Sequence, residues 1–211
     1  MIERISRMTL AVVIAAACAT QASTQQPPAA PPTPPAPTAP KAKNYTDADV
    51  HFMAGMIGHH AQAIQMAGWA PSHGANPSVR VLCERIVVAQ NDEIAMSQRW
   101  LREHGEFVPP ADPRGHIMQG MAEPMLMPGM LTPAQMAQLD SARGPAFDRL
   151  FLTYMIQHHQ GAITMVQQLL AVPGAAQDGP IFRFASDVNA DQTTEINRMT
   201  LMLADLKRSS Q

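Results

Sequence analysis

Two adjacent histidines occur twice in this chain, each time set among methionines. The first copy runs Phe52-Met-Ala-Gly-Met56-Ile57-Gly-His59-His60-Ala-Gln-Ala63-Ile64-Gln-Met66. The second runs Phe151-Leu-Thr-Tyr-Met155-Ile156-Gln-His158-His159-Gln-Gly-Ala162-Ile163-Thr-Met165. The offset is 99 residues, and nine of the eighteen paired positions from Asp49/Asp148 to Met66/Met165 are identical, which composition alone does not explain. Imidazole and thioether together select soft, late metals: thioether binds Cu(I) well and Zn(II), Mg(II) or Ca(II) poorly. Thiolate would bind more strongly, but it oxidises in an exported protein, whereas methionine forms no disulfide and risks only sulfoxidation. Single methionines at helical spacing are ordinarily core filler, and a lone histidine on an apolar face is ordinarily a hydrogen-bonded core residue. Burying four imidazoles for packing alone is costly unless each finds a partner. The paired motif therefore reads as a ligand set of Met56, His59, His60, Met66, Met155, His158, His159 and Met165.

The geometry of a helix supports that set. With about 100° per residue, Phe52, Ala63 and Met66 lie within about 40° of His59, Met56 at about 60° and His60 at about 100°. The apolar arc then spans about 180° with Met56 near its middle and a histidine on either side. Downstream of each copy stands a second matching pattern, Gln90-x-x-Glu93-Ile94 and Gln192-x-x-Glu195-Ile196. Glu93 and Glu195 read as carboxylates that orient the histidines, or as surface charges. The long helices carry no Glu-x-x-His pattern, so a carboxylate-bridged iron site of the di-iron bundle type is disfavoured.

A third methionine-rich stretch separates the two copies. His116-Ile-Met118-Gln-Gly-Met121-Ala-Glu-Pro-Met125-Leu-Met127-Pro-Gly-Met130 holds five methionines and a histidine in fifteen residues. Met-x-Met and Met-x-x-Met runs can gather thioethers around Cu(I). A loop of this composition can equally cap an open bundle end with adaptable side chains. His116, Met118, Met121, Met125, Met127 and Met130 are secondary metal candidates. His51, His73 and His104 stand singly near helix ends and read as solvated.

The elements that position these residues are helices. Thr46-x-x-Asp49 has capping-box spacing, and the first helix runs from there to about Ala70, stopping at Pro71. A second opens at Pro77 or Ser78 and reaches His104, with Gly105 suited to the C′ position. Residues 105–144 form the Met-rich connection, with a small helix opened by Thr132-Pro-Ala-Gln135. A third long helix follows Gly144-Pro145, and a fourth runs from Pro180 to about Lys207. Two like hairpins, 46–104 and 145–207, joined by one long crossover give an all-α antiparallel four-helix bundle with approximate two-fold symmetry.

Arg4, Arg7 and the apolar run Met8–Ala17 read as an export signal, too short to span a bilayer. Ala15-Ala16-Ala17-Cys18 resembles a lipobox with Cys18 as the lipidated residue; ordinary cleavage after Ala19 or Ala22 is the alternative. Residues 19–43 are a Pro/Ala-rich tether with polyproline character, leaving 44–207 as the folded domain. A net charge of −2 without basic clusters argues against nucleic acid. Cys83, flanked by Val81, Leu82, Ile86 and Val87, reads as a buried inert thiol.

The stretch Phe52 to Met66, and the run from Met127-Pro-Gly-Met130 through Phe147-Asp148 to Met165, resemble the ferritin-like domain-of-unknown-function family 305, which includes periplasmic copper-binding members. The resemblance covers about residues 44–207; Val166, where alanine is usual, is a minor departure. It implies a ferritin-like bundle, export, and binding of copper or silver in metal tolerance. The expected function is thus an exported, lipid-anchored protein, not an enzyme, that buffers, sequesters or transfers Cu(I), with silver as a second fit. Its partners would be metal ions and other envelope copper-handling proteins, and the membrane only through the lipid. A ferritin-like metal-dependent redox enzyme and a metal-free envelope interaction module remain as alternatives.

Overall fold

The computed structural model describes residues 43–116, 119–120 and 122–209. The leader with Cys18, the tether, Met118 and Met121 lie outside the described residues. Five helices follow in order: α1 (Asp47–Gly68), α2 (Pro77–Glu103), α3 (Pro133–Ser141), α4 (Pro145–Leu170) and α5 (Gly179–Ser209). Among the described residues there is no strand, only an isolated antiparallel bridge between His116 and Met125.

The helix boundaries follow from local chemistry. Thr46 Oγ1 accepts the Asp49 N–H at 3.3 Å while the Asp49 carboxylate takes the Thr46 N–H at 2.7 Å, the reciprocal capping box. Thr132 and Gln135 do the same for α3. α2 closes on Gly105, whose φ of +69° lets the Glu106 N–H return to the Leu101 carbonyl at 2.9 Å.

α1 packs on α2, α4 on α5, and α1 crosses α4 antiparallel. The buried side chains form two clusters. One joins Phe52, Met53, Met56 and Ile57 to Ala162, Met165, Val166 and Phe184. The other joins Ala63, Met66 and Leu82 to Phe147, Phe151 and Met155. The histidine pairs sit between them along both central helices.

α1 departs from the expected half-buried arc, because every residue from Phe52 to Ala63 is buried. α2 and α4 cover two sides, and the crossover covers the third. The crossover approaches at glycines. A Cβ on Gly58 would overlap the Gly115 carbonyl, and one on Gly161 would overlap the Pro128 carbonyl and stand 2.6 Å from Gly129 Cα. Glycine inside a helix costs about 1 kcal/mol relative to alanine; here it gives the crossover room to lie down.

The hairpins are tied to each other at their turns. Asp49, fully buried, accepts the Ala176 N–H at 2.7 Å through its second oxygen. Asp148, its repeat mate, accepts the Asn76 N–H at 3.1 and 3.2 Å. Each aspartate therefore holds the turn of the opposite hairpin.

All three single histidines correct the sequence expectation, and His51 is half-buried, edge-on to His116 at 5.2 Å between ring centroids. His73 is buried: Nε2 donates to the Asp140 carbonyl at 2.8 Å, and Nδ1 lies 2.9 Å from Ser72 Oγ. His104 is half-buried, stacked on Trp100 at 4.2 Å, and bonds the Trp100 carbonyl through Nδ1 at 2.7 Å. Both close helix ends that sequence spacing alone leaves open to water. Cys83 is buried, and burial raises its thiol to about 12, so thiolate chemistry is suppressed.

Candidate metal centre

The four histidines occupy the middle of the bundle. His59 and His158 face each other across the α1–α4 crossing with ring centroids 3.9 Å apart. His59 Nε2 lies 2.9 Å from the Pro128 carbonyl, and His158 Nε2 lies 3.0 Å from the His59 carbonyl. A carbonyl oxygen only accepts, so both Nε2 atoms carry the proton. Each Nδ1 is then a lone pair, and neither finds a partner in the protein. Burial, then the neighbouring His60, lowers His59 to about 3. Burial, then His59, likewise holds His158 well below the ordinary histidine value. Both rings are neutral at physiological pH, which is the metal-ligating form.

His60 and His159 turn away from this pair, each toward its own hairpin partner. His159 Nε2 meets Glu195 Oε2 at 2.7 Å. His60 Nε2 lies 2.9 Å from Glu93 Oε2 but is misaligned for a hydrogen bond. Their Nδ1 atoms are also unpartnered. Gln90 and Gln192, one turn before the glutamates, are buried beside them with amide atoms unpartnered. Among the described residues no three His, Cys, Asp or Glu side chains stand together as a metal-holding group. A purely imidazole or carboxylate centre of three or more side chains is therefore not assembled among the described residues, and the buried methionines are the soft donors nearest to hand.

The four core methionines separate into pairs. Met56 and Met165 lie in the cluster on one side of the histidines, and Met66 and Met155 in the cluster on the other. All four are buried. One eight-residue seam thus becomes an imidazole layer between two thioether pairs.

The crossover brings in its own candidates unevenly. Met127 and Met130 are buried, and Met130 Sδ lies 3.4 Å from the Met127 N–H. Met125 is 47% exposed. His116 is 1% exposed, with neither ring nitrogen hydrogen-bonded. Sequence reasoning missed what holds this segment down. Gln62 donates to the Pro113 and Leu131 carbonyls at 3.0 and 3.1 Å and accepts the Leu131 N–H at 2.6 Å. Gln157 donates to the Gly129 carbonyl at 3.2 Å. In the repeat register Gln62 pairs with Gly161 and Gly58 with Gln157. Each copy supplies one glutamine and one glycine four residues apart, in swapped order. The signal was available as a glutamine and a glycine that trade places between the two copies.

Fold and site together define a ferritin-like four-helix bundle with buried imidazole and thioether donors at its centre. The chain belongs to the family described as Domain of unknown function (DUF305), whose model matches residues 49–203. A DUF305 protein from Streptomyces coelicolor is 27% identical with a TM-score of 0.64, covering 79% of this chain and 96% of that one. A DUF305 fragment from Deinococcus radiodurans is 28% identical with a TM-score of 0.63, covering 76% and 98%. CopM in Cu(II)-bound and silver-soaked forms is 25% identical, with TM-scores of 0.57 and 0.56, covering 74% and 96%. CopM in its Cu(I)-bound form, at 24% identity and a TM-score of 0.57, shares the fold. No curated protein matches the chain.

Proposed function

We propose that this protein binds Cu(I) or Ag(I) through its buried histidines and methionines and buffers, sequesters or passes on the ion in the cell envelope. The observation that carries the reading is four buried imidazoles whose Nδ1 atoms all lack a protein partner, set between buried methionine pairs. Neutral nitrogen and thioether donors suit a monovalent soft ion, whose single charge is the least costly to bury. The likeness to CopM, solved with copper and with silver, points the same way. Met56, His59, His60, Met66, Met155, His158, His159 and Met165 are the proposed donors. Glu195 orients His159 from the outer helix by its hydrogen bond, and Glu93 stands beside His60 at the matching position, 2.9 Å away, to do the same once aligned.

Among the described residues no helix is long and apolar enough to cross a membrane. Export by the leader, with lipid on Cys18 as the anchor, fits that finding; Cys18→Ser should release the protein from the membrane fraction. For the ion itself, the test is competition for Cu(I) against a chromophoric chelator, repeated with His59→Gln/His158→Gln after circular dichroism shows the variant folded. The wild type should compete, and the variant should lose at least tenfold in affinity. A wild type that cannot compete would falsify the reading. A specific feature favours the metal-free alternative: the Nε2 atoms of His59, His158 and His159 already have protein partners. A melting temperature unmoved by excess Ag(I) would decide for it.

A further inference from the structure

Where the crossover meets the ends of both central helices, a second set of donors converges. Gly55 sits inside α1, and a Cβ there would stand 2.9 Å from Met127 Cε and 3.3 Å from Met165 Cε. The methyl ends of two methionines, one from the crossover and one from α4, thus share the space a glycine vacates, with Met127 Sδ at 4.0 Å. His51 lies one turn before Gly55, on the same face of α1. His51, Met127 and Met165 line one partly open cavity of about 140 Å³, together with Phe52, Gln168 and Leu169. That volume accommodates a desolvated ion and a few waters. Behind His51, His116 meets it edge-on at 5.2 Å between ring centroids, buried and with both ring nitrogens unpartnered.

We infer that His51, Met127 and Met165 form a discrete thioether–imidazole site for one monovalent soft ion, with His116 supporting His51 from behind. The inference rests on the soft-metal reading above but places the first ion outside the histidine layer. Three considerations carry it. His51 is half-buried, whereas His59, His60, His158 and His159 are wholly enclosed, so this site exchanges ions with solvent without opening the core. None of its donors is a carboxylate or thiolate, which suits a single positive charge and disfavours a divalent ion in a largely apolar wall. The repeat also cannot build it twice, because the positions matching His51 and Gly55 are Leu150 and Tyr154. Among the described residues there is therefore one such port, at the end of the bundle where the crossover lands.

The experiment uses the exported chain without its leader and Ag(I) as a redox-stable probe. One equivalent is added while methionine methyl and histidine ring resonances are followed by NMR. The first equivalent should shift the Met127 and Met165 methyls and the His51 ring, before the Met66 and Met155 methyls move. Met127→Leu and His51→Gln, the first nearly volume-conserving, should each weaken the first ion at least tenfold in chelator competition, and Met136→Leu should leave it unchanged. If the first equivalent shifts the His59 and His158 rings instead, and Met127→Leu changes affinity less than twofold, this site is wrong while the binding function stands. If no Ag(I) binds at all, both fail together.

Discussion

At the scale of the residue, the core histidines are defined by what their second nitrogen lacks. His59 and His158 spend Nε2–H on carbonyl oxygens and leave Nδ1 bare. Their depressed protonation makes the metal-free protein pH-sensitive, and the sign is fixed. The unfolded chain takes up protons on these rings below about 6.5, the folded chain not until His59 reaches about 3. Stability is therefore full above pH 6.5 and falls as pH drops toward 3. Asp148 and Asp191, raised by burial, oppose this at the lower end. Denaturant unfolding in the presence of a chelator should give a lower midpoint at pH 5 than at pH 7.5; equal midpoints would count against neutral, buried rings. Gln62 offers a second residue-scale prediction. Gln62→Leu leaves the buried Leu131 N–H without its acceptor, at a cost of about 1–3 kcal/mol. The amide of Leu131 should then exchange with deuterium faster than in the wild type.

At the scale of the element, the glycines decide how the crossover docks. Gly161→Ala improves helix propensity in α4 by about 1 kcal/mol yet drives a methyl into the Pro128 carbonyl. Overpacking of that kind costs about 1–3 kcal/mol, so the variant should unfold at lower urea. Gly68→Ala is the matched comparison, since nothing stands within 4 Å of its Cβ position; it should be neutral or stabilising. Asp49 ties one element to another. Asp49→Ala removes the carboxylate half of the α1 capping box and the acceptor for the Ala176 N–H, and should cost about 2–4 kcal/mol by chemical denaturation. The small helix α3 matters mainly as an anchor: Leu131 precedes it and Leu139 within it are both fully buried.

At the scale of the whole molecule, a symmetric bundle carries an asymmetric strap. The two hairpins repeat in helix order, in Asp49 and Asp148, and in the histidine layer. One crossover cannot lie symmetrically over two equivalent helices, so the repeat departs from identity where it lands. Gly58 and Gln62 exchange roles with Gln157 and Gly161, and His51 and Gly55 meet His116 and Met127, where the second copy has Leu150 and Tyr154, the latter hydrogen-bonded to Gln138 of the small helix. An ion bound to this assembly bridges segments distant in sequence, so it should raise global stability. At one hundred times the dissociation constant the gain is about 2.7 kcal/mol, readable as a rise in melting temperature with Ag(I). No change would mean that the donors do not bind the ion in the folded state.

Much of this architecture was legible in the residues themselves. The doubled histidine motif, the capping boxes at Thr46 and Thr132, Gly105 after α2 and the prolines at Pro77, Pro133 and Pro145 mark the helices, because helix ends are set by local hydrogen bonding and backbone stereochemistry. Helical spacing also put Met56 on the buried arc. Tertiary structure alone decided the rest. It split the four core methionines into two pairs, because antiparallel crossing of α1 and α4 sends Met56 toward Met165 and Met66 toward Met155. It buried His73 and His116, because the acceptor of one, Asp140, and the ring packed on the other, His51, come from residues far along the chain. And it gave His51 its setting, since Met127 and Met165 reach that cavity from a loop and a helix whose approach no periodicity encodes.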